Sequence, residues 1–182
     1  MAPVRTGVGV GIGVVVGLLV GGGGVPGVAA EGEPGRAVPL QGNTHLQSPG
    51  SPHAPYNSIP PTSGPHVPWL APWGVHRIPI PWEVQVHNLE DGGVIIHYRC
   101  DRPCPDVVAT LERIVGEYQT QVILTPERRL ETTIALTAWG RLETMAAPDE
   151  ALIRRFIEAY RGLDHHPPRE GATPAPPRAP TR

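Results

Sequence analysis

The chain has no lysine. All of its basic residues are arginine, fifteen against seventeen acids, for a formal charge of −2. No basic stripe runs along it, so a nucleic-acid partner has no electrostatic support. Cysteine is scarce too. Cys100 and Cys104 cannot build a disulfide framework, which leaves one disulfide, half of a metal site or a redox pair. Long apolar runs are missing except for Val8 to Val20, and that run is shorter than the about 20 residues a spanning helix needs. No nucleophile–base pair and no complete metal motif is visible, which favours binding over catalysis and leaves enzyme activity open.

Proline (24) and glycine (22) are abundant, and they gather toward the two ends. Arg5, the apolar run and the small residues Val28-Ala29-Ala30 follow the order of a secretory signal. Residues 1–30 are therefore read as a cleaved signal peptide or, extended over residues 8–30, as an uncleaved membrane anchor. No Cys follows the run, so lipid attachment there is excluded. Either reading places the rest outside the cytoplasm, secreted, periplasmic or anchored. Membrane association then comes only through the N-terminal segment, if it is uncleaved. Residues 31–55 are poor in large apolar side chains and read as a flexible linker with a point of order near Thr44-His45-Leu46. The globular domain is expected over 56–166. A Pro-rich tail from 167 to 182 lacks large apolar residues and reads as disordered.

Within 56–81 the many prolines exclude helix, but Tyr56, Trp69 and Trp73 would be costly to leave wet. The segment is expected to be an ordered loop lying on the domain, with the turn Thr62-Ser63-Gly64-Pro65 holding His66. Val84 and Val86 alternate with Gln85 and His87, and Val94 to Tyr98 is β-branched, so both read as strands. Glu90-Asp91-Gly92-Gly93 between them reads as a hairpin turn. In a three-residue loop, His87 would sit opposite His97, with β-carbons about 4.5–5.5 Å apart, close enough to share a metal. His87-x-x-Glu90-Asp91 also resembles the inverted zinc-protease motif. That motif needs a helix, which the strand reading denies it, and it has a second His where Asp91 stands.

Cys104-Pro105-Asp106 opens a helix, with Val107, Val108, Leu111, Ile114, Val115 and Tyr118 on one face. The helix start would favour a thiolate at Cys104. Strand, Cys-x-x-x-Cys-Pro, helix resembles thioredoxin-like copper chaperones over these few residues, and soft thiolates with imidazole suit copper(I). The other reading is a structural disulfide in an oxidising compartment. Gln121 to Leu124 and Thr132 to Ala138 read as strands. Pro148-Asp149-Glu150 opens a second helix, whose apolar face is Leu152, Ile153, Phe156, Ile157 and Tyr160. Asp164-His165-His166 reads as a frayed end, with an exposed metal-scavenging pair as the alternative. The expected fold is a small two-layer α+β domain. It has a mixed four-stranded sheet and two amphipathic helices in the order strand-strand-helix-strand-strand-helix.

YNSIPPTSGPH (56–66), APWGV (71–75), VHNLEDGGVIIHY (86–98), IALTAWGRLE (134–143) and FIEAYRG (156–162) together resemble the bacterial domain-of-unknown-function family 3105, over about residues 40 to 166. The resemblance implies an exported or membrane-anchored protein and no assigned reaction. It also implies a shared surface that includes His66, His87, Glu90 and Trp139-Gly140-Arg141. The family pattern has a second His at the turn, where this chain has Asp91. Carboxylate replaces imidazole well at zinc and poorly at copper(I).

Three functions follow as expectations. The first is a metal-binding module for zinc or copper, drawing on His66, His87, His97, Glu90 and Asp91. The second is a thiol-disulfide or copper(I)-handling protein using Cys100 and Cys104. The third is a non-catalytic envelope module with Trp69 and Trp73 facing a protein partner.

Overall fold

The computed structural model describes Met1 and residues 32–167. The signal or anchor reading of residues 1–30 falls almost wholly outside the described residues, as does nearly all of the Pro-rich tail. Along the described chain the elements run β1 (Arg36–Ala37), β2 (Gly74–Val75), α1 (Trp82–Glu90), β3 (Val94–Tyr98), α2 (Pro105–Val115), β4 (Val122–Pro126), β5 (Ile134–Ala138), β6 (Arg141–Met145) and α3 (Glu150–Tyr160). No helix among the described residues is long and apolar enough to cross a membrane.

The strands form one mixed sheet in the order β1-β6-β5-β3-β4-β2. β3 and β4 are parallel, with Ile95 beside Ile123, and α2 makes the crossover between them. β5 runs antiparallel to β3, and β6 turns back on β5 through Trp139-Gly140. The α+β class is as expected, with six strands and three helices rather than four and two. The short strands β1 and β2 carry too little pattern to be seen in sequence. β6 alternates Leu142 with polar neighbours and has only one fully buried residue.

Side chains alternate across a strand, and both faces of this sheet are covered. Val94 and Ile96 of β3, Leu124 of β4 and Leu136 of β5 pack against Leu111 and Ile114 of α2 and Ile153 and Phe156 of α3. Ile95 and Ile123 point the other way, against Val84 and Leu89 of α1 and Val67 and Ala71 of the Pro-rich loop. The domain therefore has three layers, not two.

The largest correction concerns residues 82–90, which form helix α1 and not the first strand of a hairpin. Val84 through Glu90 are all buried, because the sheet covers one side of α1 and the Pro-rich loop much of the other. A helix covered all round shows no 3.6-residue stripe, so the valine alternation was the only period left to read. The Gly-Gly pair ends the helix instead of turning a hairpin. The Gly93 N–H donates to Asn88 O at 2.8 Å and the Gly92 N–H to Leu89 O at 3.1 Å, while Gly92 takes φ 75°. This is a Schellman end, which wants the same left-handed glycine a hairpin turn would.

Residues 32–55 are also not a free linker. β1 pairs with β6, the Tyr160 hydroxyl donates to Pro34 O at 2.7 Å, and His45 bridges to His66. These are backbone and single-residue anchors, so they need no apolar run in the sequence. The Pro-rich loop is ordered on the domain. The Asn88 side chain clamps its Ala71 by accepting from the N–H and donating to the carbonyl, both at 2.9 Å. Trp69 is exposed, while Trp73 is partly buried against the α1-side core.

Candidate metal centre

Three segments deliver the site. Helix α1 places His87, Glu90 and Asp91 one turn apart on one side of its C-terminal end. The turn before His66 is held by the Tyr56 hydroxyl, which donates to Pro65 O. His45 is set beside His66 by two backbone bonds, Leu46 N–H to His66 O at 2.6 Å and His66 N–H to Thr44 O at 2.9 Å. The segment after α3 crosses the end of α1. There the Gly162 N–H donates to Gly92 O at 2.8 Å and the His165 N–H to Glu90 O at 2.9 Å. That lays His166 over the Glu90 carboxylate.

Glu90 is the hub. Its Oε2 lies 2.9 Å from His66 Nε2, 3.2 Å from His166 Nε2, 3.9 Å from His87 Nδ1 and 4.0 Å from His45 Nε2. Its Oε1 accepts from Asn43 Nδ2 at 3.0 Å. The side chains of His66 and Glu90 are 0% and 1% exposed, whereas those of His45 and His166 are 49% and 36% exposed. The cluster is thus closed toward the core and open along the His45–His166 edge. His45, His66, His87 and Glu90 each offer one ligand atom within 4.8 Å of the others, and so do His87, Asp91 and His166.

His66 is held through both ring nitrogens. Its Nδ1 is 2.8 Å from Gly64 O, a carbonyl that can only accept. Nδ1 therefore carries the hydrogen. In the neutral ring, Nε2 then aims a lone pair at the Glu90 carboxylate, which is also an acceptor. Either a proton shared between them or a metal cation satisfies that contact. Among the described residues the buried Nδ1 atom of His87 has no hydrogen-bond partner, which is costly unless something occupies that position.

Burial lowers the pKa of His87, with the Asp91 charge pulling the other way, so its ring favours the neutral form that ligates metals. Burial likewise lowers His165. At His166 burial also lowers the pKa. The hydrogen bond to Asp164 and the charges of Glu90 and Asp91 outweigh it, and the net shift is upward.

The donor set of the first group is three imidazoles and one carboxylate. A tetrahedral zinc site, with bonds near 2.0–2.1 Å, has ligand atoms about 3.3 Å apart. The distances around Glu90 Oε2 bracket that value. The His66 ring also has the expected outer partner, a backbone carbonyl on its second nitrogen. The arrangement suits zinc(II) or copper(II) better than copper(I), because neither group contains a thiol.

The sequence-derived candidates divide accordingly. His66, His87, Glu90 and Asp91 come together. His97 is on β3, fully buried, with Nε2 2.8 Å from Thr137 Oγ1, and it is in neither ligand group. The expected His87–His97 pair disappears with the hairpin. Cys100 and Cys104 are disulfide-bonded, with Cα atoms 6.0 Å apart, between β3 and α2.

His45 was missed because its neighbours read as linker, and His166 was offered only as half of an exposed metal-scavenging pair at a frayed end. The available signal was histidine itself, present eight times and including an adjacent pair. Trp139 was carried only by the resemblance. Its ring lies 6.3 Å from that of His66, edge-on, and 5.9 Å from His165, nearly parallel.

The helix required by the inverted zinc-protease motif is present after all. Glu90, however, is buried, with its carboxylate against His66 and Asn43.

A family model matches residues 50–175. The chain belongs to the family described as "Protein of unknown function (DUF3105)". No match was found among the curated proteins or the solved structures. The span matched by the family contains His66, His87, Glu90, Asp91 and His166, and it begins just after His45.

Proposed function

We propose that this protein is a metal-binding module whose centre holds zinc(II) or copper(II) through His45 Nε2, His66 Nε2, His87 and Glu90 Oε2. The observation that carries this reading is the convergence of ligand atoms from His45, His66, His87 and Glu90 within 4.8 Å of one another, centred on the buried meeting of His66 Nε2 and Glu90 Oε2 at 2.9 Å. A cation there satisfies both lone pairs and gives the partnerless His87 Nδ1 a ligand role. The module works outside the cytoplasm, either released or held by residues 8–30, and the Cys100–Cys104 disulfide is compatible with that location.

Elemental analysis after loading with zinc or copper and extensive dialysis tests the reading. At least one ion per chain is expected, together with a raised Tm, because an ion that binds only the folded state stabilises it. His66→Ala and His87→Ala should abolish retention. Unchanged metal-to-protein ratios in both variants would sink the proposal. Glu90→Gln separates metal binding from folding. Its amide can donate to His66 Nε2 while its oxygen still accepts from Asn43, so the metal-free Tm is kept and the metal-induced rise is lost.

A further inference from the structure

We propose that the centre is binuclear, with His87 bridging two divalent cations, one held by His45, His66 and Glu90 and the other by Asp91 and His166. This inference rests on the metal-binding reading above.

The two nitrogens of His87 address different partners. Nδ1 lies 3.9 Å from Glu90 Oε2, and Nε2 lies 3.9 Å from Asp91 Oδ2. The lone-pair directions of one imidazole diverge, so one ion cannot take both. The donors sort in the same way, into two groups that share only His87. The second group is a placed feature and not a chance surface encounter. His165 N–H is bonded to Glu90 O, and the next ring, His166, comes within 3.4 Å of Asp91 Oδ1 and 3.2 Å of Glu90 Oε2.

Charge points the same way. Glu90, Asp91 and Asp164 bring three carboxylates to one cluster, and Asp164 Oδ1 is 2.7 Å from His166 Nδ1. One dication leaves that cluster with a negative excess. Two dications match three carboxylates plus a bridging imidazolate. Ligating the second nitrogen of His87 releases the ring's N–H proton to solvent, and the bridge takes up the negative charge. The second position lies on the open edge of the site, where Asp91 and His166 are partly exposed.

Titration of the metal-free full chain with copper(II), read by elemental analysis and by low-temperature electron paramagnetic resonance, tests the bridge. Two coppers per chain are expected, with an integrated signal well below two spins because the shared ring couples them. The Asp91→Ala/His166→Ala double variant changes only partly exposed side chains. It should keep one copper with a full single-spin signal. One copper in the wild-type chain overturns the bridge and leaves the metal-binding reading standing, whereas none overturns both. Two coppers with full two-spin intensity also overturn it. So does a second copper that survives in the double variant, which marks adventitious surface binding.

Discussion

The two faces of the central sheet are built from different chemistry. On one face α2 and α3 meet the strands through Leu111, Ile114, Ile153, Phe156 and their neighbours, all apolar and nearly all fully buried. On the other face, α1 and the Pro-rich loop bury polar groups beside the apolar ones: Thr62, Ser63, His66, Gln85, Asn88, Glu90, His97 and Thr137. A buried polar group is costly unless partnered, and among the described residues only some atoms of this set, such as Thr62 Oγ1, Gln85 Oε1 and His97 Nδ1, lack a partner. The second face therefore spends its side chains on specific bonds, such as Asn88 to Ala71 and Gln85 Nε2 to Ile80 O at 2.7 Å. The first face supplies stability without chemistry, and the second holds the donors of the proposed centre at some expense to packing.

That contrast can be broken by experiment. Phe156→Ala empties the middle of the apolar face and is expected to lower stability by about 3–5 kcal/mol. Denaturant unfolding would show this, while copper stoichiometry stays unchanged. Lost copper binding in a still-folded variant would mean that the faces are coupled.

Acid should act mainly on the polar face. Burial drives the His97 pKa from 6.5 to about 3. Its folded value lies below its unfolded one, so its contribution is fully present above pH 6.5 and is lost as pH falls toward about 3. The loss is on the order of 5 kcal/mol. A His97→Gln variant should flatten the stability-versus-pH slope across that window. An unchanged slope would show that the ring is solvated.

Asn88→Ala frees the Ala71 N–H and carbonyl and is expected to cost about 2 kcal/mol. Hydrogen exchange would show faster opening confined to the Pro-rich loop. Opening that spreads to α2 and α3 would undo the distinction between the faces. The smallest effect is expected at the start of α3, where Asp149 Oδ1 accepts from the Leu152 N–H at 3.0 Å. Asp149→Ala should lower Tm slightly, for a loss of about 1 kcal/mol, and leave metal binding untouched.

The same division governs what could be read from the sequence. The elements of the apolar face, α2, α3, β3, β4 and β5, repeat apolar side chains with a clear period because each has one wet side or one short buried run. α1 has no wet side, so Val84 and Val86 imitated a strand. Glu90-Asp91-Gly92-Gly93 imitated a hairpin turn, because Schellman ends and hairpin turns both need a left-handed glycine. His66, His87, Glu90 and Asp91 were legible as chemistry, since polar ligating residues stand out in a domain this apolar. Their partner His45 was not, and His166 was legible only as one of an exposed pair with no tie to the site, because each lies in a stretch with no apolar periodicity and is placed by backbone bonds.

By itself the sequence determined the family, through the resemblance of its spaced motifs, and the α+β class, the apolar face and the shortlist of ligating residues, because composition and local periodicity carry that information. Only the tertiary structure decided that 82–90 is a helix, that His97 is left out, and that His45 and His166 are brought in. Those outcomes depend on contacts between segments more than twenty residues apart, such as His66 with Glu90 and His165 with Glu90. No local pattern records such contacts, because their free energy comes from pairing distant polar groups and not from the propensity of any one segment.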